Sequence, residues 1–252
     1  VDELVSNYFA IRYLKEKTKK KINSLELDYS SQINILSNLP FKLTDKQNSA
    51  IKDINKLNNS NYRETILLQG DVGSGKTIVS LITSANVLET GFQTSLMAPT
   101  AILAKQHYNL AKKIFEKTKI KIELLTGKTD YKTRKKILAE LKKGKIDLLI
   151  GTHALFQKKI EFKNLGYIII DEQHKFGVKQ RKLLSDKGGS NCDILLMSAT
   201  PIPRTLTMTI YGDMDLSIIN EKPKNRKEII TYSKKEDNIK DVINFVKKEI
   251  YN

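Results

Sequence analysis

The octapeptide GDVGSGKT, Gly70 to Thr77, carries the spacing of a phosphate-binding loop: a glycine, four residues, then Gly-Lys-Thr. Glycines let the backbone close around a polyphosphate, so that successive N–H groups and the start of the next helix face anionic oxygens. In such a loop Gly70, Asp71, Val72, Gly73, Ser74 and Gly75 form the cradle. Lys76 reaches the β- and γ-phosphates, and the Thr77 hydroxyl holds Mg²⁺. A Gly-rich turn without a ligand is the alternative. The order of strand-like TILLQ, loop and helix-like TIVSLITSANVLE weighs against it.

A second cluster lies in YIIIDEQHKFG, Tyr167 to Gly177, where a β-branched run ends in Asp171 and Glu172. Apolar runs of this kind are buried strands. Ligands of open α/β sheets bind at the carboxyl ends of such strands. On a strand neighbouring the phosphate loop, Asp171 would hold Mg²⁺. Glu172 would orient and deprotonate the water that attacks a γ-phosphate. A lone Asp-Glu pair is commonly a solvated turn capping a helix; the phosphate loop upstream is what favours NTP hydrolysis over nucleotide storage. His174 follows three residues after Asp171, but the three histidines of the chain lack metal-ligand spacing.

Both clusters need a scaffold, and the apolar pattern supplies one. Short apolar runs stand at 65–69, 94–98, 121–125, 146–150, 167–171 and 193–198. Helix-like stretches lie between several of them, notably TIVSLITSANVLE, AILAKQHYNLAKKIFEK and YKTRKKILAELKKG. Strands alternating with helices predict an α/β domain with a mainly parallel sheet and helices on both faces. Upstream, residues 1–38 read as helical at first and then polar and irregular, with a break at Pro40. A helix is predicted from Thr44 to about Leu57, capped by Thr44 or Asp45. Near Glu221 the chain turns polar, as a linker does, and a further strand and helix begin before Asn252.

Composition agrees. Of 252 residues, 40% are apolar and 29% charged, the balance of a globular protein, and no apolar run is long enough to span a membrane. The first residues lack the order of a secretory signal, and the missing initiator Met suggests a piece of a longer chain. The single cysteine, Cys192, cannot form an internal disulfide; it reads as core, and a reducing, cytoplasmic setting is expected. A net charge of +16 suits a binder of phosphate backbones, although Lys-rich helix faces are individually ordinary solvated surface.

The phosphate loop, the DEQH tetrad at 171–174 and the SAT triplet (Ser198, Ala199, Thr200) resemble motifs I, II and III of superfamily 2 helicases. More specifically, GDVGSGKT, MAPTAILAKQH, IGTHALFQ, IIDEQHKFGVKQR and MSATPIPRTL resemble the first motor domain of the RecG-type helicases. Those are bacterial ATP-dependent translocases on double-stranded DNA that regress stalled forks and migrate Holliday junctions. The resemblance implies a RecA-like P-loop NTPase fold, with ATP and Mg²⁺ bound and branched double-stranded DNA as the partner of a monomeric, cytoplasmic motor. It places Gln47, in PFKLTDKQ, at the adenine and gives Lys76, Thr77, Asp171 and Glu172 the roles argued above. His174, Ser198 and Thr200 would couple the nucleotide site to DNA movement. Pro99, Thr100, Gly127, Thr152 and His153 match motifs on the nucleic-acid side, where backbone N–H groups and small hydroxyls contact phosphates without reading bases. For each of these alone, loop capping or packing competes with a DNA contact.

The same resemblance implies a division of the chain. Residues 1–39 would be a helical connector from an N-terminal wedge domain, 40–221 the first motor domain, and 222–252 a linker with the start of a second. Arg204 reads as an ion-pair residue, since in this superfamily the arginine finger belongs to the second motor domain, expected beyond residue 252. The isolated chain is therefore expected to be nearly inactive. The transcription-repair coupling translocase, a relative, shares GTH and TPIPRTL but typically has DEEH where this chain has DEQH. Two other readings stay open: a nucleotide-gated nucleic-acid-binding module without hydrolysis, and an RNA helicase of the DExH type.

Overall fold

The computed structural model describes residues 29–157, 159–172, 192–200, 214–221 and 239–251. The expected apolar runs form strands β1 (Thr65–Gly70), β2 (Gln93–Met97), β3 (Ile122–Leu125), β4 (Leu148–Gly151), β5 (Leu165–Ile170) and β6 (Asp193–Ser198). A further strand, β7 (Asp215–Ile219), completes a sheet ordered β3-β4-β2-β5-β6-β1-β7, with every pairing parallel. The described helices are α1 (Ser30–Asn38), α2 (Asp45–Asn58), α3 (Lys76–Glu89), α4 (Ala101–Ile114), α5 (Tyr131–Lys142) and α6 (Ile239–Tyr251). The expected α/β fold is the one observed.

Side chains alternate between the two faces of the sheet, because the strand repeat is two residues. Ile66, Leu68, Leu96, Ile150, Tyr167, Ile169, Leu195 and Met197 share one core with residues of α1 to α4. Leu67, Met97, Leu149, Ile168, Ile170, Ile194 and Leu196 share the other with Ile137 and Leu141 of α5, and Cys192 is buried there. Helix α3 is buried nearly all round. Its interior hydroxyls are satisfied within the helix: Ser80 Oγ donates to Thr77 O, Thr83 Oγ1 to Val79 O and Ser84 Oγ to Leu81 O.

Three expectations need correction. The segment read as irregular before Pro40 contains α1, which ends at Leu39 in an extended conformation, as a residue before proline must. Its polar character misleads because tertiary contacts hold it. Ile35 is buried in the core. The Gln32 carbonyl accepts from Asn55 of α2 at 2.8 Å and Asn86 of α3 at 2.7 Å. Second, β7 has no counterpart among the expected strands. Among the described residues it is an edge strand, its apolar residues interrupted by Ser217, and it pairs along β1. Third, the strand that carries Asp171 does not adjoin that of the phosphate loop: β6 lies between β5 and β1. Gln173, His174 and Arg204 lie outside the described residues, as do residues 1–28 and 222–238. No helix among the described residues is long and apolar enough to cross a membrane.

Candidate active site

Because every strand runs the same way, the candidate residues that follow the described strands gather at the carboxyl edge. The phosphate loop leaves β1 at Gly70, where a Cβ would stand 2.5 Å from Ser74 Oγ and 2.8 Å from Ile219 O, so only glycine fits. Gly73 (φ 77°) and Gly75 (φ 90°) take left-handed conformations that turn the chain into α3. Lys76 is 8% exposed and folds back to donate to Gly70 O at 2.6 Å and Asp71 O at 3.0 Å. Burial pulls its pKa down from the usual lysine value, and the carboxylates of Glu172, Asp171 and Asp71 oppose that shift. Thr77, in the first turn of α3, is half-buried. Asp71 and Val72 are exposed at the loop tip, and the Asp71 carboxylate accepts from the Val72 N–H.

Gln47 sits against this loop with its amide used at both ends. Thr44 caps α2 through a capping box: its hydroxyl accepts from the Gln47 N–H, and Gln47 Oε1 accepts from the Thr44 N–H at 2.9 Å. The Gln47 amide nitrogen donates to Ser74 O at 2.8 Å. One residue thus fastens the start of α2 to the phosphate loop.

Asp171 follows β5, is 7% exposed, and donates its backbone N–H to Met97 O at 2.8 Å. Its Oδ1 accepts from the Glu172 N–H at 3.0 Å, and its Oδ2 meets His107 Nε2 at 2.7 Å. Glu172 is half-buried and adopts a left-handed φ of 49°, a conformation that costs a side-chain-bearing residue about 1–3 kcal/mol. Between these carboxylates and the phosphate loop, Ser198 ends β6. Its hydroxyl, fully buried, accepts from the Thr200 N–H at 3.2 Å and meets Thr200 Oγ1 at 2.9 Å; Thr200 itself is exposed.

The other half of the edge, after β2, β3 and β4, carries Pro99, Thr100, Gly127, Thr152 and His153. Thr100, Gly127 and His153 are exposed, Pro99 is half-buried and Thr152 is buried. The loops are tied together: Ala98 N–H donates to Gly151 O, and Arg134 of α5 donates to Thr126 O and Gln157 Oε1.

A model of the DEAD/DEAH box helicase family matches residues 44–209, well over half of the 252. The chain belongs to the DEAD/DEAH box helicase family. Within that family its resemblance is to RecG. It is 49% identical over 232 residues to the ATP-dependent DNA helicase RecG of Aquifex aeolicus, covering 91% of this chain and 29% of that one. With RecG of Streptococcus pneumoniae it is 41% identical over 251 residues, 99% of this chain and 37% of that one. The chain thus spans about a third of the length of the curated relatives it matches. The structure of RecG bound to a three-way DNA junction superposes with a TM-score of 0.86 at 39% identity, covering 99% of this chain and 34% of that one. Mss116p bound to ssRNA and AMP-PNP, at 21% identity and a TM-score of 0.66 over 92% of this chain and 54% of that one, shares the fold.

For a helicase of this family, the residues present fit a magnesium nucleotide. Among the described residues no cluster of His, Cys, Asp and Glu could hold a metal by itself. Asp171 and Thr77 therefore suit an ion that keeps most of its ligands as water and phosphate oxygens, as Mg²⁺ does. The buried Ser74 hydroxyl has no hydrogen-bond partner among the described residues, leaving a polar group in the cradle for a ligand to engage. Two residues that bond to the carboxyl edge were not singled out from the sequence. His107 lies in the middle of α4 and Arg134 near the start of α5, and their partners Asp171 and Gln157 stand 64 and 23 residues further along the chain. The signal available for His107 was its place at the end of MAPTAILAKQH.

Proposed function

We propose that the chain is the nucleotide-binding motor domain of an ATP-dependent translocase on double-stranded DNA, one that works on forks and Holliday junctions in the bacterial cytoplasm as a monomer. The observation that carries it is the shared carboxyl edge. A phosphate loop with the buried Asp171 and half-buried Glu172 occupies one half, and loops that expose Thr100, Gly127 and His153 the other, in a chain 49% identical to a RecG. Residues 40–221 make up this domain, 1–39 connect it to a preceding wedge domain, and 222–252 lead into a second motor domain.

In this reading Gly70 to Gly75 wrap the phosphates with backbone N–H groups, and Lys76 leaves its two loop carbonyls to meet the β- and γ-phosphates. Thr77 and Asp171 hold Mg²⁺, which when bound offsets charge on the phosphate oxygens. Glu172 orients the attacking water and accepts its proton. Gln47 reads the adenine, and its bond to Ser74 O makes loop conformation sensitive to the base. His174, Ser198 and Thr200 relay the nucleotide state. Pro99, Thr100, Gly127, Thr152 and His153 touch backbone phosphates, which suits movement over any sequence.

The test is Glu172→Gln in the full-length protein, with ATP hydrolysis followed with and without forked DNA. DNA-stimulated turnover should fall by about 10²-fold or more, while nucleotide binding persists. Unchanged turnover would overturn the role given to Glu172, and a wild-type protein that binds nucleotide without turning it over would favour a nucleotide-gated binding module. Stimulation by structured RNA in place of forked DNA would favour an RNA helicase.

A further inference from the structure

Asp171 is held by one continuous stretch of chain from two directions. Its backbone N–H is bonded to Met97 O at the end of β2, and its side chain to His107, ten residues further on. The buried stripe of α4 consists of Ala104, His107 and Ala111. Two alanines let the helix lie close to the sheet, and the histidine between them is 7% exposed and aimed at a carboxylate. An ionised carboxylate only accepts, so His107 Nε2 carries the hydrogen in this contact. With Oδ1 engaged by the Glu172 N–H, the plane of the carboxylate is set by its own turn on one side and by α4 on the other. Among the described residues no other side chain bonds to Asp171.

The same helix starts at the opposite half of the edge. Thr100 is its N-cap, exposed, with its hydroxyl accepting from the Leu103 N–H at 3.2 Å. From Thr100 to His107 is about 10 Å of helix rise. Helix α4 is therefore a short rod, with a candidate DNA contact at its tip and the partner of Asp171 two turns along. A hydrogen bond at 2.7 Å to a charged acceptor weakens steeply with distance and angle, so a small displacement of the rod is felt at the carboxylate.

We propose that His107 is a positioning residue for Asp171, and that α4 transmits DNA engagement at its Thr100 end to the nucleotide site through this contact. The proposal rests on the DNA-motor reading above. His107 acts through Asp171 and touches no reacting atom.

The experiment uses the full-length protein, wild type against His107→Leu, which has no donor, and His107→Gln, whose amide nitrogen reaches about as far as Nε2. Steady-state kcat and KM for ATP are measured with and without forked DNA. Independently of turnover, the affinity for a fluorescent non-hydrolysable ATP analogue with Mg²⁺ is measured with and without the same DNA. In His107→Leu the factor by which DNA raises kcat should shrink by about tenfold, and the DNA-induced change in analogue affinity should shrink with it. In His107→Gln most of both should return. If His107→Leu does not fold, His107→Asn, too short to reach Oδ2, takes its place as the loss variant. A folded loss variant with the wild-type stimulation factor overturns the proposal. So does a proportional fall of DNA-free and DNA-stimulated rates with no rescue by glutamine, which is what lost packing alone produces. A wild-type protein that forked DNA does not stimulate overturns the motor reading itself, and this inference with it.

Discussion

Gly75 shows how one residue can serve the loop, the helix and the neighbouring side chain together. It takes a left-handed φ of 90°, caps α3, and lies so close to Gln47 that any Cβ would run into the amide nitrogen. Gly75→Ala must both strain the backbone and break the Gln47–Ser74 bond. The expected cost is about 1–3 kcal/mol of stability, read by urea denaturation, together with loss of nucleotide-analogue binding. Lys76 and Asp171 make the complementary point about charge. Both are buried beside polar partners that fix them before any ligand arrives, Lys76 on two loop carbonyls and Asp171 on His107 and the Glu172 N–H. For Asp171 such preorganisation fixes the carboxylate ahead of the chemistry, whereas Lys76 must exchange its two loop carbonyls for phosphate oxygens.

Helix α1 and strand β5 illustrate forces that act between elements. Helix α1 is docked by Ile35 and by the amide cluster of Gln32, Asn55 and Asn86. Gln32→Ala removes the acceptor that both asparagine amides share. The loss should destabilise the domain by about 1–3 kcal/mol, with hydrogen exchange in α1 accelerating more than in β5. In β5, Tyr167 is fully buried under α3, its hydroxyl 3.4 Å from Thr83 Oγ1. Burial pushes the phenol well above its usual pKa of 10.0, against the smaller opposing effect of its hydrogen bonds. The sign of the consequence follows. Below about pH 10 the folded and unfolded states both keep the proton and nothing is lost. Above it the unfolded phenol ionises and the folded one does not, so stability falls as pH rises. Tyr167→Phe should flatten that alkaline decline in thermal melts recorded from pH 9 to 11.

Across the whole molecule, the charge of +16 and the one-sided carboxyl edge belong together. Binding of DNA should weaken linearly in log affinity against log salt, with a slope that reports the number of phosphates engaged and little dependence on sequence. Equilibrium titrations at several salt concentrations check this, and a strong preference for one sequence would count against it. On the proposal that a second motor domain supplies the arginine finger, a polypeptide of these 252 residues alone should turn ATP over more slowly than the full-length protein by about 10³-fold or more. Brisk turnover by the isolated polypeptide in a phosphate-release assay would place the stabilising cation within it.

What was legible in the chain by itself is what depends on neighbours in sequence. The phosphate loop, six apolar strands, the helices between them and a cap at Thr44 or Asp45 follow from glycine spacing, hydrophobic period and capping chemistry, all of which act over a few residues. The parallel sheet followed from the alternation of those elements, and with it the gathering of Lys76 and Asp171 at one edge. Strand order was beyond reach, because which strands adjoin depends on how whole helices pack across the sheet. For that reason β6 stands between the phosphate loop and the carboxylates, contrary to expectation. The same limit hid α1, held by partners far along the chain, and β7, which is a strand only because β1 offers an edge to pair with. It also hid the meeting of His107 with Asp171, 64 residues apart. Local pattern determined which residues could do chemistry, and tertiary packing decided which of them touch.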